Sequence, residues 1–496
     1  MKTKKIPVSC FIISLCMLIV PGKIMAQDDT SDKNDPVTRE LSEQLSNDQG
    51  YIWPKDAKVL NNLKKWQGYK FGLLIHMGLY SELGIVESWA LCPEDWITRK
   101  GYDNYFEFCN DYRNTISKFN PVNYNPEKWA KMFKGSGAKY LIYSAKHHDG
   151  FCLYDTKYTD FKVTSETCPF SVNPRANVLK EVLDASRKNG LVTGVYFSKP
   201  DWTSHDFWWP YYPPKDRNPN YDITKHPERW QRFVDYTQNQ LNELTTEYGK
   251  VDILWLDGVW VLPKSKITEK IADYCKYPHD MDINMELIVE RARAKQPGML
   301  VVDRWVQGEY ENYLTPEQRI PEEPLMVPWE SCITMGNAWG WVKNDNYKSS
   351  KELVQLLVGI VAKGGNLLLG VGPNGKGEFE PKVYDNLEML GNWLETNGEA
   401  IYETIPVKPY LDGKVAYTAK GENTIYAIYM PEDEEALPSE IFVQTNLKGK
   451  KEVSLLASNQ KLKFKTVEGG LKVSIPQKLR KPLAKNEAVA LKLTVL

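Results

Sequence analysis

The sequence predicts an α/β domain folded as a (β/α)8-like TIM barrel, followed by an antiparallel β-sandwich, within one chain of 496 residues. Three observations lead there. Between about 53 and 400, short apolar runs rich in β-branched and aromatic residues alternate with longer amphipathic stretches, the pattern of βα units. Polar side chains recur at the carboxyl ends of those runs, where a barrel opens onto a single face. All 16 tryptophans lie between Trp53 and Trp393, and from about 408 the chain becomes a succession of short alternating strands.

Taken in order, the chain begins with Lys2, Lys4 and Lys5, an apolar run over 6–20, and small or polar residues around Ala26. This is the three-part layout of a secretory leader, so residues 1–26 are expected to be removed and the mature protein exported to the periplasm or beyond. The apolar run is shorter than the ~20 residues a membrane span needs, and no other stretch suits one. Residues 27–50 are polar and read as a flexible tether. The barrel is expected over 51–405, with strands at 71–75, 140–144, 191–197, 251–256, 299–302 and 366–371. Between the second and third of these strands the segment NVLKEVLDASRKN (177–189) puts Val178, Leu179, Val182 and Leu183 on one stripe and stops at Gly190, as a helix does. The sandwich is expected over 406–496, in runs such as KVAYTAKG, NTIYAIYM, EIFVQT, KLKFKTV, LKVSIP and AVALKLTVL.

Composition excludes several functions. With 63 Lys and Arg against 64 Asp and Glu, the net charge of -1 gives none of the positive field that nucleic-acid binders use. The six cysteines after the leader (Cys92, Cys109, Cys152, Cys168, Cys275 and Cys332) lack the paired spacing of zinc or redox sites. They are expected to be mainly buried thiols with room for one disulfide, and no metal or cofactor site is read from them. Aromatic residues at 12% of an otherwise hydrophilic chain suit sugar rings as well as a large core.

The polar residues at the strand ends are His76 (FGLLIH), His147 and His148 (YLIYSAKHHDGF), Tyr196 and Ser198 (LVTGVYFS), Asp257 (VDILWLDG) and Arg304 (MLVVDRW). Singly, each has a structural reading: a core histidine, a helix N-cap at Asp257, a partner for Asp303 at Arg304. The adjacent pair His147 and His148 resists such a reading, because neighbours on an extended segment point to opposite sides. Five such coincidences on successive strands point to one pocket. A carboxylate, neutral imidazoles, an arginine and several tryptophans can bind a polyol by hydrogen bonds and stack its apolar edge, which suits glycoside chemistry. Retaining hydrolysis needs a carboxylate nucleophile and a second carboxyl group about 5 to 5.5 Å away. Asp257 fits the first role, and Glu309, Glu311, Glu317, Glu322, Glu323 and Glu330 are all candidates for the second by position alone.

At these residues the chain resembles the family 29 glycoside hydrolases, the retaining α-L-fucosidases. The matching segments are FGLLIHMGLYS, KHHDGFCLYDTKYTDF, VDILWLDG, DRW with TPEQ, PWESC with AWGW, and GGNLLLGVGPNGKGEFEP with GNWLETNGEAIY, in order from about 66 to 405. The resemblance implies hydrolysis of terminal α-L-fucose from a fucosylated oligosaccharide or glycoconjugate, with Asp257 as nucleophile and Glu317 of LTPEQ as acid/base, Glu330 of PWESC in reserve. It further implies that His76, Trp89, His147, His148, Tyr196, Arg304 and Trp339 hold the sugar and that no metal or cofactor is needed. Met77 departs from the family's usual HWG at the first strand. The tryptophan-rich segment 202–212 is expected at the barrel mouth, either holding the aglycone or plugging the barrel end. Competing readings are an α-L-galactosidase or related glycosidase on the same scaffold, a metal-dependent barrel hydrolase using His147, His148 and Asp257, and a sugar-binding protein without activity.

Overall fold

Strands β1 (Phe71–Ile75), β2 (Tyr140–Lys146), β3 (Val192–Ser198), β4 (Ile253–Asp257), β5 (Leu300–Asp303), β6 (Glu330–Thr334) and β7 (Asn366–Val371) make one sheet in the computed structural model. The structure describes residues 49–94, 99, 101–275, 279–433 and 435–496; the leader expected at 1–26 and the tether up to residue 48 lie outside the described residues. The strand order is β5-β4-β3-β2-β1-β7-β6 and every neighbouring pair is parallel. Both faces are covered, which is why the strands read as continuous apolar runs. Alternate residues divide between two cores. Leu74, Ile142, Tyr196, Trp255, Val302, Cys332 and Leu368 face the inside of the curl. Leu73, Leu141, Val195, Leu254, Val301, Ile333 and Leu369 pack outward under the helices. The inside is crowded enough that Gly72 has no room for a Cβ, which would fall 2.3 Å from the Tyr140 ring.

The helices form where their caps are written. Val178–Lys188 starts at Asn177, whose side chain accepts from the Lys180 N–H, carries Arg187 and Lys188 in its last turn, and is followed by Gly190 at φ +74°. Helix Ala57–Tyr69 sends Val59, Leu63 and Trp66 into the inner core, where Trp66 stacks on Tyr313 with ring centroids 3.9 Å apart.

Seven strands curl where an ideal barrel has eight. The gap between β5 and β6 is spanned by the extended segment 311–318, which bonds to both edges. Asn312 N–H donates to the Val301 carbonyl at 2.9 Å, Leu314 N–H to Pro328 at 3.0 Å and Gln318 N–H to Cys332 at 2.9 Å. Pro316, which has no N–H to donate, and Gln318, in the left-handed region at φ 51°, keep it from becoming a regular strand. Strand β6 itself escaped the sequence reading because it opens on the charged Glu330.

The C-terminal part is two antiparallel sheets facing one core. Strands β8 (Ile405–Asp412), β9 (Val415–Lys420), β10 (Thr424–Tyr429), β12 (Lys451–Leu455), β13 (Gln460–Lys461) and β16 (Val489–Val495) make the larger sheet, and β11 (Glu440–Gln444), β14 (Phe464–Val467) and β15 (Gly470–Ser474) the smaller. Tyr417, Val443, Val473 and Leu491 meet between them. This sandwich is tied to the first domain by hydrogen bonds from Trp393 to the Ala488 carbonyl and from Gln355 to the Pro431 and Glu487 carbonyls. The six cysteines are buried free thiols, so the disulfide for which the sequence left room is not formed. Among the described residues no helix is long and apolar enough to cross a membrane.

Candidate active site

At the carboxyl ends of the strands the chain leaves a hollow lined by His76, Trp89, His147, His148, Tyr196, Asp257, Arg304, Glu317 and Trp339. These nine residues inferred from sequence meet in one place, whereas Ser198 supports His148 from behind and Glu309, Glu311, Glu322, Glu323 and Glu330 do not line the hollow. The Glu330 side chain is completely buried lower in the curl, where the Tyr140 hydroxyl donates to it. Burial raises its pKa to about 8, against the opposing pull of Tyr140, Trp255 and Tyr313. Glu330 is thus a neutral, interior group, and it does not border the hollow.

Asp257 is the last residue of β4, and the parallel register sets it beside Ser198 at the end of β3. Its Oδ2 accepts from the Tyr196 hydroxyl at 2.7 Å, and its Oδ1 accepts from the Gly258 N–H at 2.8 Å and Arg304 Nη1 at 3.2 Å. His148 Nε2 is 3.9 Å from Oδ2. Burial alone raises its pKa, but Arg304, His148, the Tyr196 phenol and the Gly258 N–H outweigh it and hold the carboxyl well below the usual range. Asp257 is therefore ionised, aimed into the hollow, and 18% exposed.

The three histidines share one mode of support. His76 Nδ1 bonds the Ser144 hydroxyl, His147 Nδ1 that of Ser88 and His148 Nδ1 that of Ser198. Fixing each ring through one nitrogen leaves Nε2 free for the hollow. Burial lowers all three pKa values, with neighbouring imidazoles adding to the effect on His76 and His147, and His148 falls to about 3. The rings are neutral hydrogen-bonding groups.

Arg304 joins the two carboxylates. One of its Nη atoms bonds Asp257 and the other bonds Glu317 Oε2, while the guanidinium stacks 3.8 Å over the Trp305 ring. Trp339 closes another wall against His76, and Gly370 makes room for it: a Cβ there would lie 2.4 Å from the Trp339 ring. Trp89 packs edge-on against His148 at 5.2 Å.

Within 202–212, Trp202 and Trp208 are buried and stacked at 5.3 Å with their indoles bonded to the Arg217 and Asn218 carbonyls, while Tyr211 is 75% exposed. Trp202 and Trp208 are thus buried packing and do not line the hollow, which is bordered instead by Trp255, Trp260 and Tyr274, residues the sequence reading missed. Trp255 could have been found, because it stands two residues before Asp257 on the same face of β4. Ser144, inward on β2, carried the same signal. Glu87 sits in a turn ahead of the short helix Ser88–Leu91 and Tyr274 in the helix Glu269–Cys275, and neither carried that signal. Among the described residues no group of three His, Cys, Asp or Glu is placed to hold a metal ion.

A family model described as Alpha-L-fucosidase matches residues 39–399, and one described as Alpha-L-fucosidase C-terminal domain matches 408–494. Plasma alpha-L-fucosidase of Homo sapiens is 29% identical over 436 residues, covering 82% of this chain and 84% of that protein. Alpha-L-fucosidase isoenzyme 1 from Paenibacillus thiaminolyticus is 30% identical with a TM-score of 0.72, covering 89% of this chain and all (100%) of that one. The Thermotoga maritima alpha-fucosidase in complex with a mechanism-based inhibitor is 27% identical with a TM-score of 0.67, at the same 89% and 100% coverage.

Proposed function

The chain belongs to the α-L-fucosidase family of glycoside hydrolases, and from that premise we propose that it removes terminal α-L-fucose with retention of configuration, by double displacement. The observation that carries this reading is the single guanidinium of Arg304 contacting both Asp257 and Glu317 at the edge of one hollow. Two acids so joined border the same small volume, as retaining glycosidases require.

In the first step a carboxylate oxygen of Asp257 attacks the anomeric carbon as the glycosidic bond breaks. The bonding pair leaves on the aglycone oxygen, which takes the proton of Glu317. In the second step Glu317 accepts a proton from water, the new hydroxide oxygen bonds the anomeric carbon, and Asp257 departs. Tyr196 and the Gly258 N–H, already bonded to Asp257, hold its attacking oxygens in position. The neutral His76, His147 and His148 offer Nε2 to the sugar hydroxyls, and Trp339 and Trp89 give the fucose methyl group an apolar wall. Neutral imidazoles matter here, since cations would oppose the positive charge that grows on the anomeric carbon. The lysine-led apolar start of the sequence supports an exported enzyme acting on fucosylated glycans outside the cytoplasm.

The test is proton NMR of the first turnovers on an aryl α-L-fucoside, together with labelling by a 2-deoxy-2-fluoro fucosyl fluoride. The expected results are α-L-fucose as first product and a mass increase on the peptide bearing Asp257. A β-anomer formed first, or label on another peptide, overturns the mechanism.

A further inference from the structure

Arg304 and Glu317 are each followed by a non-glycine residue in the left-handed region, Trp305 at φ 63° and Gln318 at φ 51°. Such conformations are strained for residues with a Cβ and persist where neighbours impose them. Each turn is pinned by a side chain. The Trp305 N–H donates to Glu311 Oε1 at 2.9 Å. The Gln318 amide brackets Thr334: its Oε1 accepts the Thr334 N–H and its Nε2 donates to Thr334 Oγ1, both at 3.2 Å. The Trp305 indole also donates to the Thr315 carbonyl at 3.3 Å, two residues before Glu317. Arg304, stacked on that indole, is thereby tied to the segment that replaces the eighth strand.

Glu311 does not line the hollow and is only 2% exposed. Lys199 is already paired with Asp303 at 2.6 Å, so Glu311 is a surplus acid beside a neutralised pair. Burial raises its pKa to about 8; the Trp305 N–H, Arg304 and Lys199 oppose this, Asp303 adds to it, and Tyr51 is a further titratable neighbour. A neutral carboxyl kept in the interior, with its hydrogen bond spent on one strained backbone N–H, is not explained by packing.

We propose that Glu311 is a positioning residue for hydrolysis: it fixes the left-handed turn at Trp305 and so holds Arg304 between Asp257 and Glu317, while Gln318 serves the turn after Glu317. The proposal rests on the assignment of those two acids above.

The test compares Glu311→Gln, which keeps an acceptor of the same shape and charge, with Glu311→Met, which keeps the length and loses it. Each full-length variant is assayed on phenyl α-L-fucoside, whose leaving group needs a proton, and on α-L-fucosyl fluoride, whose leaving group does not. Glu311→Gln is expected within about threefold of wild type on both. Glu311→Met is expected to lose roughly 10- to 100-fold in kcat on the phenyl fucoside, less on the fluoride, with KM changed under about threefold. Unchanged kinetics in Glu311→Met, equal losses on both substrates, or a Glu311→Gln as impaired as Glu311→Met overturns it. Should Glu311→Met fail to fold, Glu311→Asp, which keeps the carboxyl and draws it back from the Trp305 N–H by one methylene, is assayed in its place: a loss of kcat larger on the phenyl fucoside than on the fluoride is expected, and unchanged kinetics overturn the proposal. Glu317→Gln run alongside separates the two readings. If it shows no dependence on the leaving group, the acid/base assignment fails, and Glu311 is then judged on kcat for the fluoride alone, where no loss in Glu311→Met overturns it.

Discussion

Along β1 to β4, the side chains of the hollow stand where regular strands end, and hydroxyls hold them: Ser144 of β2 for His76, Ser198 of β3 for His148, Tyr196 of β3 for Asp257 and Ser88 of the short helix Ser88–Leu91 for His147. Between β5 and β6 the corresponding groups stand on a segment with no regular structure, pinned by a proline, two left-handed residues and side chains such as Glu311 and Gln318. In the first half, sheet hydrogen bonds fix the strands up to or next to the residues that line the hollow. The second must be held contact by contact, and it is the half that carries the group expected to give and take a proton. An acid that changes role between two steps is served by a separate support, since its carboxyl can then be placed without disturbing the strand that presents the nucleophile.

Substitutions sharpen this contrast. The largest effect is expected from Asp257→Asn on the regular half: a loss of at least roughly 10³-fold in kcat on any fucoside, with thermal stability and circular dichroism unchanged. A near wild-type rate on an activated aryl fucoside removes the nucleophile assignment. On the irregular half, Glu317→Gln is expected to cost about 10²- to 10⁴-fold on fucosides with poor leaving groups and much less on fucosyl fluoride. Equal losses across leaving groups would falsify its role as acid.

Packing supplies a smaller test. Gly370→Ala places a Cβ against Trp339 at 2.4 Å, and overpacking of this kind costs about 1–3 kcal/mol. Chemical denaturation should register that loss, with KM for aryl fucoside rising as Trp339 moves; unchanged stability and KM would show that the Trp339 wall is loose.

The smallest effect concerns Glu330, whose folded pKa of about 8 lies above the range of unfolded glutamates. A raised acid contributes stability that is complete below the unfolded pKa of about 4.5 and lost as pH rises towards 8, because only the unfolded chain releases the proton in that window. Glu330→Gln cannot ionise, so the melting temperature of wild type relative to this variant should drop by a few degrees between pH 5 and 8. A constant difference across that range shows that Glu330 does not titrate there.

Most of the regular half was legible in the sequence. His76, His147, His148, Tyr196 and Asp257 all follow or end apolar runs, and parallel strands must deliver such residues to one face. Trp255 and Ser144 were equally legible and were overlooked because they lie inside the runs rather than at their ends. On the irregular half, Arg304 was legible at the end of its apolar run, and Glu317 only through the resemblance to a family. Glu309, Glu311, Glu317, Glu322, Glu323 and Glu330 are indistinguishable by spacing, and the structure separates three of them sharply. Glu317 borders the hollow, Glu311 lies buried under Trp305, and Glu330 sits in the core beside Tyr140.

What the sequence alone determined was the alternation of strands and helices, the change to a sandwich near 408, and the side of each strand on which a polar group ends. Periodicity and capping are local, and local rules fix them. Only the tertiary structure decided that seven strands curl around a gap, that one arginine spans two acids, and which glutamate reaches the opening. Those outcomes depend on contacts between residues distant in sequence, such as Tyr140 with Glu330 and Gly370 with Trp339, and no short-range pattern encodes such meetings.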